Sequence, residues 1–324
     1  MSKASQGSAS PLSGAIGKRV TIRLREADGG LRDIVGILQS EHELINSKSQ
    51  AISFSKDDIA IWREIKPLPD RAGTGSPLSL RIIELEKLSD TTWPAMEIVE
   101  FGKWRLRISN GFTMRANSVL PTGAGPIGEP PLPLADAVEN VIKTYRDKAL
   151  TPTFTLPLPI YQELDEYLEG QGWQIKVGAQ FLIKDIDLIN TEMFSQFNYE
   201  ILDYPSEEWL GLQSDYRLET LMKRYPAKYG LIKSGGSVNA VGRIATLGTW
   251  AIATRLFVDP SHRGQGLAKQ LMLLLMAAAK EDGATKIGLQ VDLENVAARA
   301  FYDSMGFRVH HKYVYRVLET SEVR

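Results

Sequence analysis

The chain has 324 residues, a formal net charge of −1 from 38 basic and 39 acidic side chains, 43% hydrophobic residues, no cysteine and four histidines. Disulfides, thiolate nucleophiles and cysteine metal sites are therefore excluded, and four histidines with no cysteine are too few for a zinc constellation. The balanced charge argues against a dedicated nucleic-acid binder, and the length predicts two or three domains.

The opening "MSKASQGSASPLSGAIG" has no apolar core of secretory length, and the longest apolar run, "LMLLLMAAA", is far short of a bilayer span. A cytoplasmic protein is expected. Residues 1–16, rich in Ser, Ala and Gly, read as a flexible tail. Residues 17–66 hold five short alternating runs, "RVTIRLR", "DIVGILQS", "ELINSK", "AISFSK" and "IAIWREI", with "ADGG" as a hairpin turn. Five strands in so short a stretch predict a small β-barrel domain. The proline- and glycine-rich segment 67–78 is a linker.

From 79 to 190 helices and strands alternate: a helix in "LSLRIIELEKLSDTTW", two or three strands in "MEIVEFGKWRLRISNGFTMRANSVL", and a loop, "PTGAGPIGEPPLP". A helix (134–150), the strand "TFTL", a helix "IYQELDEYLEGQG" and a strand pair in "WQIKVGAQFLIKDIDL" follow. From 191 to 324 come a helix at "SDYRLETLMKRY", strands "YGLIKS", "VNAVGRIAT" and "WAIATRLFV", helix 266–281, strand 286–292, helix 295–304 and the strand "HKYVYRVL". Both stretches are α/β (α+β) in pattern. "LDEYLEGQGW" and "ARAFYDSMGF" occupy corresponding places, which predicts an internal repeat of one fold.

"VDPSHRGQGLAKQLM" sets Gly264 and Gly266 between an apolar strand and an apolar helix. It lacks the Gly-Lys-Ser/Thr of a nucleoside triphosphate loop, and Lys269 stands where a dinucleotide fingerprint needs its third glycine. A tight strand-to-helix turn without ligand is the plain alternative. The string Arg263-Gly264-Gln265-Gly266-Leu267-Ala268, after Val-x-Pro and before a leucine-rich helix, resembles the acyl-coenzyme A loop of the GNAT superfamily of N-acetyltransferases. Asn295, the pair Phe301-Tyr302 and Gly306-Phe307 follow in the order that the resemblance requires.

The resemblance implies a tandem GNAT-like fold: a degenerate half at 79–190, whose prolines replace phosphate-binding N–H donors, and an intact acetyltransferase half at 191–324. It implies acetyl-CoA as co-substrate, held by Phe257, Val258, residues 263–268, Asn295 and Phe301, with no metal. Tyr302 falls where the family keeps the tyrosine that protonates the departing thiolate. No carboxylate lies in "WAIATRLFV", so the general base stays open among Asp259, Asp292, Glu294 and a water relay.

With "GFTMRANSVLP", the arrangement further resembles an actinobacterial group that includes the short N-acetylglutamate synthases of corynebacteria. That implies L-glutamate as acceptor and the first step of arginine biosynthesis. Two substrate carboxylates call for cations, and Arg115 and Arg255, with Asn117 and Ser118, are the expected substrate-binding residues. A GNAT enzyme for another small amine or a protein lysine, and a non-catalytic acyl-CoA sensor, are the alternatives. No nucleic-acid or membrane partner is expected, and the sequence is compatible with a homo-oligomer.

Overall fold

The computed structural model describes residues 11–26, 29–46, 50–65, 77–186, 198–214, 216–234 and 236–319. The chain divides into two compact units, Met1–Arg71 and Ala72–Arg324. Most of the expected tail and linker, and the expected junction at 190/191, lie outside the described residues. No helix among those described is long and apolar enough to cross a membrane.

The first unit contains β1 (Arg19–Arg25), β2 (Leu31–Ser40), β3 (Glu43–Ile45), β4 (Ala51–Ser53) and β5 (Ile59–Glu64). They form one antiparallel sheet in the order β4-β3-β2-β1-β5. Alternation drives it: Val20, Ile22, Leu24, Ile34 and Leu38 turn to one face and are buried with Leu44 and Phe54. Gly36 is needed for close approach, since a Cβ there would sit 2.2 Å from the Ile45 carbonyl oxygen. A small barrel is expected from the sequence, but β4 and β5 are opposite edges with no ladder between them among the described residues. The three-residue β3 and β4 are too short to carry the sheet round to closure. The expected turn at "ADGG" includes Ala27 and Asp28, outside the described residues; the β1–β2 register from Arg19↔Ile37 to Arg25↔Leu31 is that of a hairpin.

The second unit is one mixed sheet with helices packed on it. Its elements begin with α1 (Leu78–Thr92), β6 (Glu97–Phe101), β7 (Trp104–Ile108), β8 (Val119–Pro121), α2 (Leu134–Asp147), β9 (Thr153–Leu158), α3 (Gln162–Gly170) and β10 (Gln174–Asp185). They continue with β11 (Asn198–Leu202), α4 (Glu207–Gln213), α5 (Leu218–Met222), β12 (Lys228–Ser234), β13 (Ser237–Leu247) and β14 (Trp250–Val258). Last come α6 (Leu267–Glu281), β15 (Lys286–Asp292), α7 (Val296–Ser304) and β16 (Arg308–Val317). The strand order is β11-β12-β13-β14-β15-β10-β16-β9-β8-β7-β6.

Two corresponding runs meet at the middle of this sheet. Strands β6, β7, β8 and β9 pair antiparallel, antiparallel and parallel, and β12, β13, β14 and β15 repeat those senses. The neighbour that completes each run comes from the other stretch of sequence: β16 lies antiparallel to β9, and β10 antiparallel to β15. The expected repeat is therefore visible, with its two final strands exchanged.

"WQIKVGAQFLIKDIDL", expected to be a strand pair, is instead the single twelve-residue β10. Its Gly178 does not mark a turn. A Cβ there would lie 2.9 Å from Leu293 Cδ1, so the glycine admits a neighbouring side chain.

Packing follows the helix stripes. The helix α2 lays Ala137, Val138, Val141 and Tyr145 on Trp104, Phe154 and Trp173. The helix α6 buries Leu271, Met272, Leu275 and Met276 against Ile244, Ala251, Ile287 and Leu289. Each buried Val, Leu, Ile, Met or Phe among them contributes roughly 1.5–3 kcal/mol of transfer free energy. The long apolar stripe of α6 is what holds its N-terminus fixed at the end of β14.

Candidate active site

Strand β14 pairs in parallel with β15 only from Trp250↔Lys286 to Ala253↔Leu289. Beyond that point β14 stays with β13 as far as Ala240↔Val258, while β15 stays with β10 as far as Ala179↔Asp292. The two strands therefore part, opening a wedge in the middle of the sheet. Arg255 lies at the parting with φ +59°, and the β13–β14 register shifts beside it. A non-glycine residue in this region carries strain of about 1–2 kcal/mol, held here by the ladder on either side.

At the end of β14 the carboxylate of Asp259 accepts from Ser261 N–H at 2.8 Å and from the Ser261 hydroxyl, closing a short 3-10 turn at Pro260–His262. These bonds hold the Asp259 carboxyl below its usual range. Gly264 and Gly266 follow with φ +77° and +80°, and Gly266 is the left-handed N-cap of α6. A Cβ on either would meet nothing within 4 Å, so the glycines are there for the backbone turn and not for lack of room.

Among the described residues, the N–H groups of Gly264 to Lys269 have no acceptor, and the first helical bond runs from Gln270 N–H to Gly266 C=O at 3.2 Å. Six free amides at the positive end of a fifteen-residue helix form a cradle for an anion. Residues 263–266 are exposed, Leu267 anchors in the core, and the Arg263 guanidinium lies 6.0 Å from the Phe257 ring with Nε donating to Val258 C=O.

Across the wedge, Asn295 caps α7, its side-chain oxygen accepting from Ala298 N–H at 3.0 Å. Its amide NH2 is left to offer a ligand. Tyr302 packs into the same core cluster as Ala253, Leu267 and Leu289, with its ring 5.1 Å from Phe301 and 5.5 Å from Phe307. Burial pushes its phenol up to about 12. The hydroxyl has no partner among the described residues, yet is not sealed from solvent.

A cavity of about 240 Å³ lies at the parting, lined by Trp93, Thr113, Arg115, Ala253, Thr254, Arg255, Gln290 and Tyr315 among others. The structure thus brings Arg115 and Arg255 to one place. It does not bring Asn117 and Ser118 there, and their expected role in binding substrate is corrected. The Asn117 side chain accepts from Ser109 and Gly111 N–H at 2.7 and 3.0 Å and donates to Phe112 and Thr113 C=O at 2.7 and 2.8 Å. All four bonds tie the loop 109–118 round a buried amide. Ser118 is fully buried among Arg107, Thr155 and the Arg115 carbonyl. Both residues shape the loop that carries Arg115.

None of the three carboxylates considered as general base lines the cavity. Asp259 closes its turn, Asp292 accepts from Glu294 N–H at 2.8 Å, and Glu294 is exposed. A carboxylate that sequence reasoning missed stands nearer: Glu86 of α1, 5% exposed, is hydrogen-bonded to Gln290 of the cavity wall. The signal was present, because Glu86 falls at helical spacing with the buried Ile82, Leu85 and Ser89. No group of three or more His, Asp or Glu side chains among the described residues is placed to hold a metal ion.

A family profile described as "Probable histone acetyltransferase Rv0428c C-terminal" matches residues 80–316. The chain belongs to this family, and through it to the GNAT N-acetyltransferases. "Uncharacterized N-acetyltransferase YobR" of Bacillus subtilis (strain 168) is 28% identical over 251 residues, covering 73% of this chain and 98% of that protein. "Probable histone acetyltransferase Rv0428c" of Mycobacterium tuberculosis is 25% identical over 312 residues, covering 91% of this chain and 93% of that protein.

Among solved structures, a GCN5-related N-acetyltransferase from Kribbella flavida superposes with TM-score 0.57 at 16% identity, over 75% of this chain and 97% of its own. A tandem GNAT protein from the clavulanic acid biosynthesis pathway gives 0.50 at 15% identity, over 74% and 87%. Both show the fold. The chain is an acyltransferase of the acetyl-CoA-dependent kind, and the open amide cradle at 264–269 fits a pyrophosphate on this acetyltransferase.

Proposed function

We propose that this acetyltransferase moves the acetyl group of acetyl-CoA to the α-amine of a small dicarboxylic amino acid, L-glutamate. It would then be a cytoplasmic N-acetylglutamate synthase acting in the first step of arginine biosynthesis, like the short corynebacterial enzymes that its sequence resembles. The observation that carries the reading is the convergence of Arg115 and Arg255 on one cavity at the strand parting, with no carboxylate in its lining. A dianionic acceptor is complementary to that lining. A lysine side chain would meet like charge there, which favours the amino acid over a protein lysine.

Residues 263–268 bind the pyrophosphate, Phe257 and Val258 flank the thioester, and Phe301 and the Asn295 amide line the opposite wall. The neutral amine attacks the thioester carbonyl, a backbone N–H near Phe257 or Val258 steadies the oxyanion, the amine proton leaves to water, and the carbon–sulfur bond breaks. Tyr302 gives its proton to the departing thiolate. An ordinary thiolate of pKa near 8.5 would take a proton from a phenol held at about 12 uphill, by on the order of 5 kcal/mol. The transfer therefore works on a thiolate still desolvated in the wedge, where burial raises its basicity as well. The stretch 79–190 serves the acceptor and not a second coenzyme: its loop from 122 to 133 holds four prolines, and α2 begins after Pro133 without a side-chain cap.

Thiol release from acetyl-CoA, measured against the twenty amino acids and a lysine peptide, tests this. Turnover is expected with glutamate, with the glutamate KM raised at least tenfold in Arg115→Ala by loss of a charged contact. Turnover with the peptide alone, or an unchanged KM in the variant, overturns the assignment.

A further inference from the structure

Behind the cavity wall runs a chain of side-chain hydrogen bonds drawn from four elements. Arg115, on the loop after β7, donates through Nη2 to Gln290 Oε1 on β15. Gln290 Nε2 donates to the Glu86 carboxylate at 3.3 and 3.4 Å. His311 Nε2 on β16 reaches Glu86 Oε1 at 2.8 Å, and the Nδ1 atoms of His310 and His311 are 2.9 Å apart. Glu86 and His311 are 5% and 4% exposed, so water does not compete for these bonds.

Chemistry fixes the direction between Glu86 and Arg115. A carboxylate only accepts, so His311 turns an N–H at Nε2 towards Glu86, with its Nδ1 against His310. The same carboxylate turns the Gln290 amide so that its NH2 faces Glu86 and its oxygen faces Arg115. A flipped amide would set an oxygen against the carboxylate and an NH2 against the guanidinium, two repulsions in place of two bonds.

Resting on the acceptor site assigned above, we infer that Glu86 and Gln290 are positioning residues. Glu86 polarises Gln290, and Gln290 holds the Arg115 guanidinium where it meets the acceptor's side-chain carboxylate, so the pair sets selectivity for a dicarboxylic over an uncharged amino acid. Neither residue touches the reacting atoms. Arg115 Nε is buried without a partner, and its head group is held by Gln290 together with the Tyr313 hydroxyl.

The test compares kcat and KM for glutamate and glutamine in the wild type, Glu86→Gln, Gln290→Met, Arg115→Gln and the Glu86→Gln/Arg115→Gln double variant. Glu86→Gln is expected to raise the glutamate KM about tenfold, the scale of one misplaced charged hydrogen bond, with kcat and the acetyl-CoA KM within about threefold. Glutamine turnover should be unaltered, and the double variant no worse than Arg115→Gln alone. Equal losses for both acceptors, or losses that multiply in the double variant, mark a merely structural role and overturn the inference.

Should the wild type not turn over glutamate at all, the acceptor reading fails, and the positioning is read without catalysis. Side-chain NMR of Arg115 in the free protein should then show restricted rotation of its guanidinium in the wild type, lost in Glu86→Gln and Gln290→Met at unchanged fold by circular dichroism. Free rotation in the wild type overturns the positioning itself.

Discussion

Replacing Asn117 with alanine removes the post round which the loop 109–118 is wound. Four hydrogen bonds of 2.7–3.0 Å are lost together, and their partners are two N–H and two C=O groups of the loop backbone. At a net value of about 0.5–1.5 kcal/mol each, the loss is roughly 2–6 kcal/mol. The loop also holds Asn110 and Thr113 at φ +52° and +58°, conformations that relax once the tether is gone. Water reaching the freed backbone groups offsets part of the loss, so a value near 3 kcal/mol is expected. In a unit spanning Ala72–Arg324 that corresponds to a fall in Tm of about 6–12 °C. Calorimetry and acceptor kinetics read the outcome jointly: Tm falls by that amount, the acceptor KM rises through Arg115, and the acetyl-CoA KM stays constant. A Tm within 2 °C of wild type, together with an unmoved acceptor KM, would refute the tether as the source of the loop's shape.

Four further outcomes are expected. Gly266→Ala forces an L residue into the left-handed region at a cost of about 1–2 kcal/mol, so the acetyl-CoA KM should rise about 5- to 30-fold in steady-state kinetics, with the acceptor KM constant. Tyr302→Phe should lower kcat with coenzyme A binding intact by titration calorimetry. Because the folded phenol sits at about 12 and the unfolded one near 10, its contribution to stability is whole below pH 10 and lost as pH rises towards 12; denaturant titrations should show a shallower alkaline decline in the variant. Burial, then His311, Arg81 and Arg308, depress His310 to about 4, so its contribution is whole above pH 6.5 and lost as pH falls towards 4; His310→Asn should flatten that decline in acid unfolding. Ala149→Gly should stabilise by about 0.5–1 kcal/mol in urea unfolding, since Ala149 sits exposed at φ +55° where α2 ends with Leu150 N–H bonded to Tyr145 C=O.

What could be read from the sequence is the chemistry held in contiguous residues. Gly264 and Gly266 stand between a strand and a helix of plain pattern, and their backbone geometry is local. Arg115 and Arg255 were singled out as cations that a dicarboxylate needs, and they do share a cavity. What could not be read depends on neighbours distant in sequence. Asn117 and Ser118 are polar residues in a polar-looking stretch, and nothing local says whether such an amide faces ligand or its own backbone. Gly178 resembles a turn glycine until Leu293 is seen packed over it. Glu86 carries no motif around it, and only its place among the buried residues of α1 sets it apart from an exposed acid of the same helix. The position of β10 between β15 and β16 leaves no trace in chain order.

That exchange of final strands bears on how the chain comes to be folded during synthesis. Strand β9 finds its outer partner only when β16 emerges, with Leu158 waiting for Lys312. Strand β10 is made early and stays without β15 until Lys286–Asp292 appear. Neither half can bury its sheet edge while the ribosome is still at work, so a nascent intermediate with exposed strands is built into the topology. Such high contact order predicts slow, all-or-none acquisition of both halves. Mutations in β16 should therefore deplete soluble protein through the half that was translated first.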